Sequence, residues 1–436
     1  MSDLSSNRSN GDPMLTGRKY MLQLTPEQAE FAETVGAICR SVWNTALQQR
    51  REYRRRGAWI NYNEQAGQLA DAKTEHEWLK GAPSHVLQQT IMDLDRACRE
   101  HGTFRVRWRS ARRWLPSFRF PDPKQITVER LGKRWGRVKL PKFGWIRLRW
   151  SRGVGGAVRS ATMSWDGVGW YISFLVEDGR TTRDRHASTT AVGVDRGVRV
   201  AVAVSDATMW DREFCTPGEV ARYRRLQQKL ARQQKSSANR CKTIIAMRTI
   251  RRRERNRRAD FCAWTANQLA TRHSLVAIED LRTRNMTASA KGTIEHPGIR
   301  VRQKAGLNRS ILDKGWHAFE RALMSVSRYT GTRVVKVPAA YTSQRCSACG
   351  SVDPGSRESQ AVFRCTTCGH SEHADVNAAK NILADGLSVS ACGDLAVGRS
   401  MKQEPGGNPR GTTTQPRPRQ VGIPQLQPWE RTSRTS

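Results

Sequence analysis

Apolar positions near the N-terminus follow a helical spacing after a short predicted strand from Lys19 to Leu24. Thr25 and the Pro, Glu and Gln that follow it are typical of a helix start, with Thr as the N-cap and Pro at the first helical position. Two apolar stripes then predict one helix after Thr25 and one from Ser84: Phe31, Val35, Ile38, Val42 and Leu47, then Leu87, Ile91, Leu94 and Cys98. We therefore expect a helical segment over 26–101.

From residue 104 the apolar period becomes two, which is the period of a strand. Arginines fill the alternate positions: Phe104, Val106 and Trp108 alternate with Arg105, Arg107 and Arg109, and Ile146, Leu148 and Trp150 with Arg147 and Arg149. A further run at 170–174 follows a turn signal at Asp166-Gly167. We interpret 17–25 and 102–185 as a small β-barrel that carries the helices as an insertion. A solvated outer face would explain any single strand, but several basic faces in one domain favour contact with nucleic acid.

Two apolar runs each end in a carboxylate. The run 191–194 leads into Asp195, which a Gly turn and a second predicted strand from Arg199 to Val204 follow, and the run 275–278 leads into Glu279. A single strand-end Asp is often only a cap or turn residue. A carboxylate at a buried strand end is costly unless a metal ion or a cation compensates it. Two such ends therefore predict one shared site.

Asp375 is the third candidate carboxylate. It opens a predicted helix in which Ala378, Ala379 and Ile382 can pack against a sheet. With Asp195 and Glu279 it would hold two Mg²⁺ ions about 3.5–4 Å apart, the arrangement for in-line attack on a phosphodiester. Oxygen ligands suit that cation.

Four of the ten cysteines form two C-x-x-C pairs. Cys346 and Cys349, followed by Cys365 and Cys368, have the C-x2-C-x15-C-x2-C spacing of a tetrahedral zinc site. Four thiolates leave no open coordination position, so this zinc would be structural. Two unrelated redox pairs are the alternative, but no thioredoxin-like βαβ pattern surrounds them.

Composition narrows the partners and the compartment. The 75 Lys and Arg residues against 39 Asp and Glu give a net charge of +36 and a pI near 10.9, which favours a polyanionic partner, nucleic acid first. The chain has no run of 18 apolar residues, no apolar signal-peptide core and too few cysteines for a disulfide scaffold. We expect a cytoplasmic, nucleoid-associated prokaryotic protein without a membrane or small-molecule partner, with disordered ends at 1–16 and 396–436.

A dense basic helix is predicted between the first two carboxylates, at about 212–265. Seven arginines fall in eleven residues from Arg248 to Arg258, and such a cluster repels itself unless phosphates neutralise it. A solvated surface helix is the alternative. Together with the other basic clusters, this helix gives the candidate nucleic-acid-binding residues: Arg51, Arg54, Arg55, Arg105, Arg107, Arg109, Arg248, Arg251, Arg252, Arg255 and Arg258.

Taken in order, four motifs resemble those of the TnpB family, the transposon-encoded relatives of type V CRISPR effectors. They are V-G-V-D-R-G at 192–197, A-I-E-D-L at 277–281, the two C-x-x-C-G pairs and H-A-D-V-N-A-A-K-N-I at 373–382. The resemblance covers about 17–390. It includes 37–44 and 87–94, which look like the family's first helices, and 140–144, which looks like its wedge barrel. One departure is His373, where members often carry Asp.

The resemblance implies an α/β plus all-β fold. An RNase H-like RuvC nuclease domain would occupy 186–340 and 372–395, with a zinc ribbon inserted at 341–371, after a wedge-type β-barrel that carries a helical recognition insertion. Asp195, Glu279 and Asp375 become the catalytic metal ligands, and the four paired cysteines become the zinc ligands. A guide RNA would pair with one strand of a double-stranded DNA target, and the RuvC site would cut the unwound DNA. Monomer and dimer both stay open.

Three other interpretations also stay open. A transposase or accessory DNA-binding regulator of transposition fits less well, because His-hydrophobic-His nickase motifs are absent and the carboxylate order does not end on Glu. A binding-only repressor with a decayed nuclease is disfavoured because all three carboxylates are present. A miniature type V CRISPR effector would share the nuclease chemistry, and the neighbouring DNA would distinguish it from a transposon protein.

Overall fold

The computed structural model describes residues 15–111, 113–181, 183, 185–293 and 295–397. In its first region, seven antiparallel strands pair in the order β2-β6-β7-β1-β5-β4-β3. The elements are β1 (Leu15–Gln23), α1 (Pro26–Arg55), α2 (Tyr62–Glu75), α3 (Glu77–Lys80), α4 (Ser84–His101), β2 (Ser117–Phe120), β3 (Thr127–Arg130), β4 (Trp135–Leu140), β5 (Gly144–Arg149), β6 (Ala157–Trp165) and β7 (Trp170–Glu177).

Helix α1 begins where the sequence predicts. The Thr25 hydroxyl accepts a hydrogen bond from the Gln28 main-chain N–H, and the Gln28 side chain accepts one from the Thr25 N–H, both at 3.2 Å. Gln28 Nε2 also donates to the Trp145 carbonyl at 2.9 Å, which fixes the start of the helix to β5. The apolar face of α1 then packs into one core with the sheet, where Val35 and Ile146 are fully buried.

The first sheet is open, so the closed barrel predicted from the strand pattern is wrong. Its edge strands β2 and β3 have four residues each and do not pair with each other. Helix α4 packs against β2. The rings of Phe31, Phe118 and Phe120 have centroids 4.6 to 6.2 Å from that of Phe143. Helices and these aromatic rings therefore bury the apolar surface that closure of the barrel would otherwise cover.

The strand predicted at 104–109 is also wrong. Side chains of α1 satisfy the main chain of this segment: Arg51 donates to the Val106 carbonyl at 2.8 Å, and the Asn44 amide both donates to and accepts from the Arg109 main chain. Trp43 Nε1 donates to the Arg107 carbonyl at 3.3 Å. An alternating sequence thus lies along a helix, because side chains supply the hydrogen bonds that a neighbouring strand would supply.

The second region is a five-stranded sheet with helices. Its order is β10-β9-β8-β11-β12, and β8, β11 and β12 run parallel. The elements are β8 (Ala191–Asp195), β9 (Val202–Val204), β10 (Met209–Trp210), α5 (Pro217–Arg232), α6 (Ala238–Arg272), β11 (Leu275–Glu279), α7 (Thr283–Met286), α8 (Val301–Lys314), α9 (Trp316–Thr330) and β12 (Arg333–Val337). The strand predicted from Arg199 begins only at Val202, because residues 198–201 form bends.

A short hairpin and a long helix follow: β13 (Val362–Arg364), β14 (Ser371–His373) and α10 (Ala374–Val397). The alternation along β11 separates two cores. Val276 and Ile278 pack with α6 and α9, whereas Leu275 and Ala277 pack with Ile382 of α10. The second sheet therefore lies between helices on both faces, which is the α/β layering that the sequence predicts.

Two predicted boundaries change. Strand β1 begins at Leu15, because Leu15 and Thr16 pair with β7, so the predicted disordered segment 1–16 ends too late. Helix α10 extends to Val397, two residues into the predicted tail. The rest of both predicted tails, 1–14 and 398–436, lies outside the described residues. Within the described ranges, none of the helices is both long and apolar enough to cross a membrane.

Candidate active site

The parallel pairing of β8 with β11 brings two of the predicted carboxylates together. Val194 is the register partner of Ile278, so Asp195 and Glu279, one residue later, end neighbouring strands at the same edge of the sheet. The carboxyl ends of parallel strands are where open α/β sheets place their functional sites. Two apolar runs more than 80 residues apart in sequence thus meet at a shared edge.

Helix α10 brings the third carboxylate to this edge because two glycines allow a close approach. A Cβ atom on Gly193 of β8 would lie 2.0 Å from the Ala379 carbonyl oxygen, and one on Gly386 would lie 2.4 Å from the Ala277 Cβ. The first turn of α10 carries Asp375, whose Oδ2 would lie 3.8 Å from a Cβ on Gly197, two residues after Asp195. The close packing of helix on sheet therefore completes the carboxylate cluster.

The three carboxylates line one cavity of about 420 Å³. Glu279 and Asp375 are each 8% exposed. A larger cavity of about 760 Å³ lies among α5, α6 and α8, but it contains none of the three, and two of its acidic residues, Glu254 and Asp313, form ion pairs with Arg258. All three predicted carboxylates meet in the smaller cavity, which is therefore the candidate site.

Burial and mutual repulsion act on these carboxylates. Burial, followed by the charges of Glu279 and Asp375, raises the pKa of Asp195 to about 7, and the Arg357 guanidinium opposes the rise. Burial also raises the pKa of Glu279, against a hydrogen bond from Thr342. A bound divalent cation would relieve both unfavourable effects. The electrostatics therefore suit a cation site.

Two side chains from the segment between β12 and β13 enter this site, and the sequence reasoning missed both. The Thr342 hydroxyl donates to Glu279 Oε1 at 2.7 Å, and an Arg357 guanidinium nitrogen lies 3.4 Å from Asp375 Oδ1. The sequence around each residue matches no recognisable motif. Each residue contacts a carboxylate that lies far from it in the sequence, so residue spacing does not indicate the contact. The cysteine-rich segment thus contributes directly to the carboxylate cavity.

Two asparagines of α10 attach that segment to the helix. Asn377 donates to the Arg345 carbonyl at 2.8 Å and accepts from the Ser347 N–H at 2.8 Å, and Asn381 donates to the Thr342 carbonyl at 2.9 Å. Both asparagines are at most 3% exposed. The D-V-N-A-A-K-N sequence contained this signal, since buried Asn residues one turn apart require fixed partners.

His373, the departure from the family pattern, has a local structural role. Its Nδ1 accepts a hydrogen bond from the Asp375 main-chain N–H at 3.2 Å. This N–H belongs to the first turn of α10, where donors lack partners within the helix. His373 thus caps the helix that carries Asp375.

The four paired cysteines form one cluster, as predicted. Cys346 and Cys368 Sγ atoms are 3.7 Å apart, and those of Cys349 and Cys365 are 3.6 Å apart. Among the described residues, these four cysteines form the group of potential metal ligands whose ligand atoms all lie within 4.8 Å of one another. Disulfide sulfurs lie only about 2.05 Å apart, whereas tetrahedral zinc with bonds of about 2.3 Å separates its sulfurs by roughly 3.8 Å. The geometry therefore fits a metal ion.

Several arginines predicted to bind nucleic acid are held by aromatic rings in the first region. Arg109 lies 3.8 Å from the Trp43 ring centroid, and burial lowers its pKa to about 10. Arg51 lies over Trp108, Arg54 lies over Trp59 and Arg55 pairs with Glu52. The side chains of Arg105 and Arg107 are exposed. Arg109 also lies over the Trp114 ring, so two aromatic rings cover its guanidinium.

Several arginines of the basic helix α6 make contacts within the protein. Arg255 pairs with Asp166 at 3.0 Å, and Arg248 donates to the Gly167 carbonyl at 3.4 Å, so the helix contacts the β6–β7 turn. Arg252 reaches the Tyr171 hydroxyl at 3.5 Å. Arg251 and Arg258 both pair with buried Glu254. Helix α6 is therefore neither an uncompensated cluster of positive charge nor a helix that contacts only solvent. The role of its arginines in binding nucleic acid stays a prediction.

Three family models match parts of the chain. A "Helix-turn-helix domain" matches residues 14–58, a "Probable transposase" matches 173–290 and a "Cas12f1-like, TNB domain" matches 316–382. The last of these spans α9, β12, the cysteine cluster and the start of α10. The matched segments therefore include all three carboxylates.

Two relatives align with this chain over almost their whole length. The chain is 38% identical over 395 residues to the RNA-guided DNA endonuclease InsQ of Escherichia coli (strain K12), covering 88% of this chain and 96% of that protein. It is 30% identical over 407 residues to an RNA-guided DNA endonuclease of Streptomyces pristinaespiralis, covering 89% and 95%. The structure is similar to Cas12f1 in a cryo-EM complex with sgRNA and target DNA, with TM-score 0.51 and 14% identity over 82% of this chain and 83% of that one. At that identity, the structural likeness concerns the fold.

Proposed function

Because this chain belongs to the TnpB family of insertion-sequence proteins, we propose that it is an RNA-guided DNA endonuclease encoded by a transposable element. The observation that carries the proposal is the meeting of Asp195, Glu279 and Asp375 in one cavity. The two relatives named as RNA-guided DNA endonucleases support it, since the chain covers at least 95% of each. A binding-only protein would have no need of three carboxylates in one cavity at the sheet edge.

We propose Mg²⁺ as the cation that Asp195, Glu279 and Asp375 hold. The donor set fits, since all three ligands are carboxylates and their mutual repulsion calls for positive charge. When bound, two Mg²⁺ ions supply an activated water and stabilise the leaving oxygen of an in-line displacement at phosphorus. Thr342 orients the Glu279 carboxylate, and Arg357 provides a fixed positive charge beside Asp375.

We propose structural zinc at the cysteine cluster. The sulfur separations of 3.6 and 3.7 Å support tetrahedral coordination by Cys346, Cys349, Cys365 and Cys368. With all four positions filled by thiolates, the metal would take no part in the hydrolysis. Its role would be to hold the segment that carries Thr342 and Arg357.

The domain assignments stay proposals that follow from the family. We assign 186–340 and 372–395 to a RuvC-like nuclease domain, 341–371 to a zinc ribbon, 17–25 with 102–185 to a wedge domain, and 26–101 to a recognition insertion. The parallel strands β8, β11 and β12 between two helical layers support the first assignment. The net charge of +36 suits a guide RNA and a DNA target bound together.

The test is to sequence RNA that co-purifies with the protein when it is expressed with its native flanking DNA. The proposal predicts one abundant structured RNA with an end that matches sequence beside the element. Repeat-spacer RNA would indicate a CRISPR effector. Heterogeneous cellular RNA alone would contradict the guided function.

A further inference from the structure

A buried arginine follows the first catalytic candidate directly. The Arg196 side chain is 1% exposed. Its guanidinium donates to the main-chain oxygen of Glu279 and lies 3.3 Å from Glu320 of α9. One side chain therefore joins the end of β8, the end of β11 and a helix behind the sheet.

Glu320 extends this contact to the next strand. Lys336 of β12 lies 2.5 Å from Glu320 and 3.6 Å from Asp280, the residue after Glu279. Arg196, Glu320, Lys336 and Asp280 thus alternate in charge across the ends of three parallel strands. No member of this network has a role in the proposed reaction.

Helix α9 holds the same turn at a second point. Trp316, one helical turn before Glu320, donates from its indole nitrogen to the Gly197 carbonyl at 3.2 Å. Residues four apart lie on one face of a helix, so this face contacts two consecutive residues after Asp195. The turn itself is tight, because a Cβ on Gly197 would lie 2.6 Å from the Val200 carbonyl oxygen.

We propose that Arg196 is a positioning residue that fixes the separation of Asp195 from Glu279, with α9 as its support. The inference rests on the proposed nuclease function. The strand register between β8 and β11 ends at Val194 and Ile278, so the carboxylates need another connection. An apolar side chain would fill this space without the cost of burying a charge. Stability alone therefore does not explain an arginine here, whereas a fixed donor to the Glu279 carbonyl does.

The test compares Arg196→Met and Arg196→Lys in the full-length chain. Mn²⁺ binding to the RNA-free protein is followed by electron paramagnetic resonance, with Asp195→Ala defining binding outside the site. Because residues that orient metal ligands typically affect affinity 10- to 100-fold, we expect Arg196→Met to raise the Mn²⁺ Kd by about that factor. Lys retains one donor but cannot reach both partners as a fork, so Arg196→Lys should fall between Met and wild type. The half-saturating Mg²⁺ concentration for guided cleavage should rise in the same order.

Arg50→Met is the matched control, because Arg50 is 6% exposed and pairs with Asp95 at 2.7 Å in the first region. It should lower Tm yet leave the Mn²⁺ Kd within about twofold of wild type. If Arg196→Met does not fold, Glu320→Gln removes the support charge at constant volume and should raise the Kd at least about threefold. A lowered Tm with unchanged Mn²⁺ affinity in the folded variants would overturn the proposal. Metal binding that responds to Arg196 in a protein without guided cleavage would instead reject the proposed function and leave the positioning role standing.

Discussion

The carboxylate cavity and the cysteine cluster are both sets of anionic ligands, but they are built in opposite ways. The cysteines come from one stretch of 23 residues, 346–368, and their sulfurs form a closed group. The carboxylates come from β8, β11 and α10, up to 180 residues apart, and line an open cavity of about 420 Å³. A closed set suits a structural ion, and an open set leaves room for a substrate.

The two sites are nevertheless connected. Thr342, just before the cysteine cluster, contacts Glu279, and Arg357, between the two cysteine pairs, contacts Asp375. The local, closed site therefore places side chains in the distributed, open one. Loss of a carboxylate should remove catalysis alone. Loss of a cysteine should disrupt the local fold of the cysteine-rich segment and also remove the contribution of that segment to catalysis.

The largest expected effect is that of Asp195→Ala on DNA cleavage. A cation site supplies several kcal/mol of transition-state stabilisation, so its loss should lower kcat by at least about 10³-fold. The measurement is single-turnover cleavage by the protein with its guide RNA. Guide RNA and target binding should stay near wild type, and cleavage that continues at the wild-type rate would remove Asp195 from the site.

Cys349→Ser should have the next largest effect and should act on both sites. Metal analysis of the wild type should give one zinc per chain, and the variant should lose it together with the local fold, because metal binding and folding are coupled in such sites. Cleavage should fall at least about tenfold, since Thr342 and Arg357 lose their support. Exposed Cys241, outside the cluster, gives the control Cys241→Ser. Equal zinc content in both variants would contradict the assignment.

Thr342→Val should perturb the contact between the sites without disrupting either metal set. It removes the hydroxyl that donates to Glu279 at 2.7 Å. Hydrogen bonds to charged groups contribute about 1.5–3 kcal/mol, so kcat should fall about 10- to 100-fold. Thr342→Ser keeps the donor and should stay near wild type. If Val and Ser behave alike, the hydrogen bond has no part in the reaction.

The smallest effect concerns the stability of Mg²⁺-free protein. The folded-state pKa of Asp195, about 7, lies above the ordinary value of about 3.9, so between these values the folded state binds more protons than the unfolded state. Stability from this group is therefore lost as the pH rises through that window. Chemical unfolding in Mg²⁺-free buffer should show a steeper loss from pH 5 to 8 for wild type than for Asp195→Asn. Identical slopes would show that Asp195 titrates normally.

What the sequence could predict follows the same division. The cysteine spacing is local, and the structure brings those four residues together as expected. The strand-end carboxylates could also be identified from the sequence, because an apolar run of four residues that ends in Asp or Glu can be recognised without a structure. The capping box at Thr25 was predictable for the same reason, since its two hydrogen bonds span three residues.

Tertiary contacts explain what the sequence could not show. The segment 104–109 has a strand pattern, but Asn44 and Arg51 of α1 bind its main chain. The arginines of α6 read as a phosphate-binding run, yet Arg255 pairs with Asp166, 89 residues away. Thr342 meets Glu279 across 63 residues. Each of these contacts depends on which surfaces the fold brings together, and the spacing of residues in the sequence does not indicate which surfaces meet.

The most direct test of the account is to reprogramme the guide. The purified protein is combined with either of two guide RNAs that share a scaffold and differ in the pairing segment, and each complex is offered two plasmids that match one guide each. We predict Mg²⁺-dependent cleavage of the matching plasmid in both cases, with the Asp195→Ala complex inactive on both. Cleavage that ignores the guide sequence, or that Asp195→Ala leaves intact, would contradict an RNA-guided nuclease with its catalytic centre at these carboxylates.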